Sequence, residues 1–209
     1  MHFILELALV LQHQSTRSIQ QEVDRAAKIV FALKAYSHQS QSDEKCLAKI
    51  TDGIEVALTL YHNRLKQGIQ VIRRYDSQLP EILCNPDELT QVWVNLIDNA
   101  IYAMGQQGTL EVGVKQQADR AIVEITDSGC GISLDMQAKI FEPFVTSKAR
   151  GEGSGLGLDI VRQIIQKHNG EIQVRSQSGR TTFTVILPLS DVSDKSIPSP
   201  PLTAGNSIL

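Results

Sequence analysis

Six of the chain's 14 glycines fall between Gly129 and Gly157, and only Gly53 and Gly68 precede residue 105. None of the 7 prolines precedes Pro80. The first third of the chain is therefore free to be helical. A stretch after residue 125, in contrast, needs closely spaced backbone unhindered by side chains. Composition narrows the classes further. A chain of 209 residues with 42% apolar and 21% charged residues can bury a real core and one smaller element. A net charge of −3 argues against nucleic acid as a partner. The longest apolar run, Phe3 to Leu11, is interrupted by Glu6 and is too short for a membrane segment. Cys46, Cys84 and Cys130 have no Cys-x-x-Cys spacing, which speaks against a disulfide framework or zinc site and for a reducing cytoplasm.

Periodicity divides the chain. Ile19, Val23, Ala26, Val30 and Leu33 form an a/d seam, so 17–40 reads as a long helix that packs on a partner helix or on a core. The polar segment Ser40 to Glu44 marks a boundary between a helical segment, 1–43, and a domain over 46–190. Within that domain the spacing predicts a helix over 47–66 and a strand through Ile69 and Val71. Asn85-Pro86-Asp87-Glu88 then starts a helix that runs to about Met104. Leu110, Val112 and Val114, then Ala121, Val123 and Ile125, alternate as a hairpin. An amphipathic helix over 155–168 ends at Asn169-Gly170, and two strands follow around a Ser-Gly turn. Mixed strands with interspersed helices predict an α+β fold, a two-layer α/β sandwich. Residues 191–209 lack periodicity and read as a disordered tail.

Four motifs stand in this frame. Asn95 and Asn99 share one face of the helix after Pro86 and need polar partners, either within the core or in a metal–phosphate group. Asp127-Ser-Gly129-Cys-Gly131-Ile132 follows a strand, as a turn or as a carboxylate ready for an N–H donor on a flat ligand such as adenine. Phe141-Glu-Pro-Phe144, with Lys148 and Arg150 beyond it, reads as a loop anchor or as a lid that packs by its Phe residues and offers cations to phosphate. Gly151-Glu-Gly153-Ser154-Gly155-Leu156-Gly157-Leu158 runs into a helix, where bare backbone N–H groups bind phosphate. It lacks Gly-Lys-Ser/Thr and does not follow a strand, so it is neither a P-loop nor a dinucleotide fingerprint.

In this order and spacing the chain resembles the catalytic ATP-binding domain of sensor histidine kinases, within the superfamily shared with gyrase B, Hsp90 and MutL. The four segments look like that family's N, G1, F and G2 boxes, and Gly179-Arg-Thr181-Thr182-Phe183 extends the likeness. The resemblance covers roughly 46–190. It implies a Bergerat-type fold with a mixed sheet, ATP and Mg²⁺ as ligands, and phosphoryl transfer in a two-component phosphorelay. By the resemblance, Asn99 would coordinate Mg²⁺, and Asn95 would support the metal–phosphate end. Asp127 would accept the adenine amine, with Gly129 and Gly131 letting adenine lie close to backbone beside Ile132. Phe144, Gly153, Ser154, Gly155, Leu156, Gly157 and Leu158 would form the lid and face the phosphates, with Lys148 as the cation. Thr181 or Thr182 would reach the adenine; Thr182 is the one carried into the candidate set.

Departures from the pattern refine this. Gyrase-like hydrolases carry a Glu where this chain has Asn95, and a neutral amide is a very poor general base, so fast ATP hydrolysis is not expected. By the resemblance, Asn95 and Lys148 would be the catalytic groups, with transfer resting on positioning and Mg²⁺ neutralisation. Tyr102 stands where many histidine kinases have a basic residue, which shifts phosphate contact to Lys148 and Arg150. The family's phosphoacceptor His is followed by an acidic residue and then a Pro. His2, His13, His38, His62 and His168 are followed by Phe, Gln, Gln, Asn and Asn. The acceptor His is thus expected outside this chain, with 17–40 as the second helix of a truncated dimerisation hairpin. Expected partners are a phosphoacceptor hairpin on the same or another chain, a response regulator, and a second copy paired through 17–40. The competing reading is an ATP-binding regulator that transfers nothing.

Overall fold

A computed structural model describes residues 45–148 and 153–189. The expected helix over 17–40, the tail over 191–209, Arg150 and Gly151 lie outside these residues. Strand β1 (Cys46–Ala48) leads into helix α1 (Ile50–Leu60) and the short α2 (His62–Leu65). Then come β2 (Ile69–Tyr75), β3 (Ile82–Cys84), α3 (Pro86–Met104), β4 (Gly108–Gln117) and β5 (Arg120–Asp127). The chain finishes with α4 (Leu134–Gln137), α5 (Gly157–Lys167), β6 (Glu171–Gln177) and β7 (Arg180–Pro188).

The five-stranded sheet has the order β2-β4-β5-β7-β6; β2 is parallel to β4 and the other pairs are antiparallel. Alternation decides its two faces. Val112, Ile125 and Phe183 stand in register across β4, β5 and β7 and point to the helices. Helix α3 lies at the centre of the helical layer, flanked by α1 and α5. Its buried stripe includes Leu89, Val92, Trp93, Leu96, Ile97, Ala100 and Ile101. Each buried Leu, Val or Ile side chain in this stripe stabilises the fold by about 1.5–3 kcal/mol. The two-layer α/β sandwich with a mixed sheet is thus the observed architecture.

Most expected elements are present, including both hairpins and the Asn169 stop, whose φ is +55°. The 47–66 helix is a correction. Residues 46–48 pair instead with Ile82–Cys84 as a separate two-stranded sheet, and the helix breaks at Tyr61. Lys49 is extended at the N-cap, so the helix cannot reach back past it. Gly53, inside α1, has a packing reason: a Cβ there would lie 2.9 Å from Thr90 Oγ1 and 3.2 Å from Trp93, so α1 approaches α3 closely. Asn85 caps α3 by accepting from the N–H groups of Asp87 (3.1 Å) and Glu88 (3.2 Å). The Asn85 N–H in turn donates to His168 Nε2 at 3.0 Å, tying the start of α3 to the end of α5. All three cysteines are free thiols. Among the described residues, no helix is long and apolar enough to cross a membrane.

Candidate functional site

Asn95 and Asn99 stand one turn apart on α3, each half-buried. Asn95 Nδ2 donates to the Gln91 carbonyl at 3.0 Å, a bond within its own helix. Its Oδ1 faces the first residue of α5: a Cβ on Gly157 would lie 3.1 Å from that oxygen. Asn95 therefore sits against the N-terminus of α5. Leu156 caps that helix without a side-chain bond, and Ser154 Oγ accepts only from the Leu156 N–H at 3.3 Å. Among the described residues, the first-turn N–H groups of this 11-residue helix thus have no side-chain cap beside Asn95, where they favour negative charge. Among the described residues, nothing hydrogen-bonds the Asn99 carboxamide, so its oxygen is open to a ligand.

Lys148 does reach this end, but it is not bare. Its ammonium donates to Asp98 Oδ2 at 2.9 Å and stands 4.7 Å from the centroid of the Tyr102 ring. Asp98 Oδ1 accepts from Arg64 at 3.1 Å. The Tyr102 ring thus has a cation from another segment of the chain seated over it. Sequence reasoning passed over Asp98. Its only signal was an ionisable residue, between two site asparagines, on a helix face that is otherwise buried.

The segment before Lys148 corrects one expectation. Phe141 packs against the core, but Phe144 is 74% exposed, so the segment does not pack by both rings. Phe144 is held by its backbone instead: its N–H donates to the Gly155 carbonyl at 2.9 Å, with φ of +67° at Phe144 and +70° at Gly155. A Cβ on Gly155 would lie 2.5 Å from the Phe144 carbonyl carbon. Gly153 lies against the Lys148 side chain, and Leu158 is half-buried against the core.

At the other end, Asp127 terminates β5 opposite Leu110 of β4 and Thr181 of β7. It is 3% exposed, and Oδ1 accepts from the Gly129 N–H at 2.9 Å. Burial pushes its pKa up to about 6, although the Gly129 N–H favours the anion. Beside it, the Ile132 N–H donates to Ser176 Oγ at 2.8 Å, and Ser176 Oγ bonds Thr181 Oγ1 at 2.8 Å. The choice of Thr182 is corrected. Thr182 pairs with Thr126 on the opposite face of the sheet, with the two hydroxyls 2.9 Å apart. Thr181 shares the Asp127 face. Gly129 and Gly131 have a packing reason of their own. A Cβ on Gly129 would lie 2.6 Å from the Ala103 backbone, and one on Gly131 2.4 Å from the Gln177 carbonyl oxygen. The two glycines let the loop close onto α3 and the β6–β7 turn. Ile132 remains half-buried against the core.

A groove of about 820 Å³ lies on the open face of the sheet, among Arg74, Glu111, Lys115 and Glu124. Of the expected site residues, it contains only Thr182. No cluster of three His, Cys, Asp or Glu suited to a metal occurs among the described residues.

The chain is similar to known proteins in sequence and in fold. Residues 84–191 match the family described as histidine kinase-, DNA gyrase B-, and HSP90-like ATPase. The chain is 36% identical over 182 residues to the sensor histidine kinase ZraS of Escherichia coli K12; the match takes in 85% of this chain. It spans 38% of the length of that relative. Among solved structures, full-length ShkA in complex with AMPPNP is similar at a TM-score of 0.63 and 26% identity, over 70% of this chain and 31% of that one. The histidine kinase ThkA in complex with the response regulator TrrA is similar at a TM-score of 0.65 and 26% identity, over 82% of this chain and 49% of that one. From motif order, sheet topology and these matches together, the chain belongs to the histidine kinase-, DNA gyrase B- and HSP90-like ATPase family, with sensor histidine kinases as its relatives.

Proposed function

We propose that this chain carries the Mg-ATP-binding catalytic domain of a two-component sensor histidine kinase of the cytoplasm. It passes the γ-phosphoryl group of ATP to a histidine on a phosphoacceptor hairpin, from which a response regulator takes it. The observation that carries this reading is Asn95 against the uncapped start of α5. A phosphate-friendly helix end meets an amide there, where a hydrolase needs a base.

Each end has a share in the work. Asp127 accepts the adenine amine, and Thr181 and Ser176 order the adjoining loop. The N–H groups at the start of α5 hold phosphate oxygens. Asn99 suits Mg²⁺: its amide oxygen is a hard donor without a hydrogen-bond partner among the described residues, and this ion is commonly held by one or two side-chain oxygens plus phosphates and water. When bound, Mg²⁺ would neutralise charge on the triphosphate. Asn95 fixes the start of α5 and does not activate water, so the phosphoryl group is kept for an aligned nucleophile. The bound AMPPNP of ShkA and the bound regulator of ThkA support the ligand and the partner class.

His168 is not an acceptor in this reading. It is 4% exposed, and both ring nitrogens are engaged, Nε2 by the Asn85 N–H and Nδ1 by the Ile164 carbonyl at 2.8 Å. The test mixes the chain with a dimerisation hairpin bearing an intact acceptor histidine and labelled ATP. Label on the hairpin is expected. ATP binding without any labelling would favour the second reading, a non-transferring regulator, which the absence of an acidic residue after any of the five histidines motivates.

A further inference from the structure

Asp98 lies between the two site asparagines and is 8% exposed. Its carboxylate takes one cation on each oxygen, Arg64 at 3.1 Å and Lys148 at 2.9 Å. The Lys148 side chain is 14% exposed and that of Asp98 12%, so both charges are largely out of water. A pair so placed depends on its geometry, and losing one member strands the other. Tyr102 stands four residues after Asp98, on the same side of α3. The ammonium thus lies with a carboxylate and a ring face as neighbours, and both attract it. Gly153 closes against the stem: a Cβ there would lie 2.9 Å from Lys148 Cδ.

We propose that Asp98 and Tyr102 form a holding station for Lys148, so that a triphosphate must draw the ammonium away from Asp98, and Asp98 thereby sets how strongly the site prefers phosphorylated over unphosphorylated nucleoside. The proposal rests on the nucleotide reading given above. Asp98 is then a positioning residue: it acts on phosphate through Lys148. Before phosphate arrives it keeps the cation beside Asn99, and during binding it competes for it. Arg64 remains on the carboxylate when Lys148 leaves, so Asp98 is not left bare.

The test measures affinity for ATP with Mg²⁺ and for adenosine by calorimetry on the full chain. The quantity read is the ratio of the two, which a general loosening of the fold would not raise. Asp98→Asn is expected to raise the ATP-to-adenosine affinity ratio by about five- to tenfold, the scale of one net hydrogen bond. Asp98→Glu should return it toward the parent value. In a Lys148→Ala background, Asp98→Asn should change the ratio little, because no ammonium remains to be released. An equal gain in both backgrounds would mean simple repulsion between Asp98 and phosphate and would overturn the proposal. An unchanged ratio in the Asp98→Asn chain would do the same, making the network purely structural. If Asp98→Asn unfolds, Tyr102→Leu tests the other side of the station and should raise the ratio by a smaller factor; no rise there counts against it. A parent chain that binds neither ATP nor adenosine overturns the nucleotide reading itself. That result is distinct from adenosine binding in every variant with a flat ratio.

Discussion

The two ends of the candidate site are built differently. At the Asp127 end, strand register fixes the residues: Asp127, Thr181 and Ser176 occupy aligned positions on β5, β7 and β6 and face the helices. At the Asn99 end, position depends on side chains and helix termini. Lys148 arrives on a loop and is held by Asp98, and the proposed phosphate donors are N–H groups left without a side-chain cap on α5. A register cannot slip without turning every side chain to the wrong face, whereas an ion pair can exchange its partner. The first end suits recognition of a fixed flat group, and the second suits a charged group that is handed on.

The sharpest way to break this comparison is to remove each end in turn and measure adenosine and ATP separately. Asp127→Ala should weaken adenosine and ATP alike, by roughly a hundredfold, the scale of losing a hydrogen bond to a buried charged group. Unchanged affinity by calorimetry would show that Asp127 does not meet the base. The same carboxylate carries a stability signature. Its folded pKa, about 6, lies above the ordinary carboxylate value, so its contribution is fully present below the unfolded value and is lost as pH rises through about 6. Asp127→Asn should therefore melt higher than the parent at pH 8, with the gap closing below pH 6.

The pH dependence of binding follows with the opposite sign. If the ionised form accepts the adenine amine, adenosine affinity should fall about tenfold between pH 7 and pH 5, as the ionised fraction drops around a pKa near 6. Adenosine is the right probe because it has no phosphate to titrate. A flat profile in the parent, matching that of Asp127→Asn, would remove the carboxylate from recognition.

Asn99→Ala should act only at the other end. ATP affinity in Mg²⁺ should fall about tenfold, with adenosine unaffected, as expected for loss of one metal or phosphate contact. Equal loss for both ligands would erase the distinction between the ends. The smallest effect belongs to Gly157→Ala. Its added methyl would lie 3.1 Å from Asn95 Oδ1, so the amide must give by a few tenths of an ångström. A two- to threefold loss of ATP affinity, about 0.5 kcal/mol, is expected. No change would mean that Asn95 shifts without disturbing the start of α5.

How far the sequence reached can be judged residue by residue. The capping run at Asn85 to Glu88 placed the start of α3 correctly, because capping is chemistry between near neighbours. The hairpin through Val112 and Val123 was legible from alternation alone. The small sheet was not: Cys46–Ala48 is three residues long and finds its partner more than thirty residues away. Thr181 and Thr182 looked equivalent because both are β-branched hydroxyls; only alignment with Asp127 tells them apart. Gly129 and Gly131 were legible as bare backbone, but that they pack on Ala103 and Gln177 was not, because those contacts join distant segments.

The sequence by itself determined the local chemistry: which backbone is bare, which helix is capped, which residues can accept a proton or a metal. It also set the order of the motifs, and through it the family. Tertiary structure decided which of these groups meet. Asp98 and Lys148 are fifty residues apart, and their ion pair exists because the Lys148 segment folds back across α3. Asn95 touches Gly157 for the same reason, α5 being packed against α3. Periodicity and capping act over a few residues and leave a record in the string. Contacts between distant segments depend on how layers pack, which no local pattern encodes.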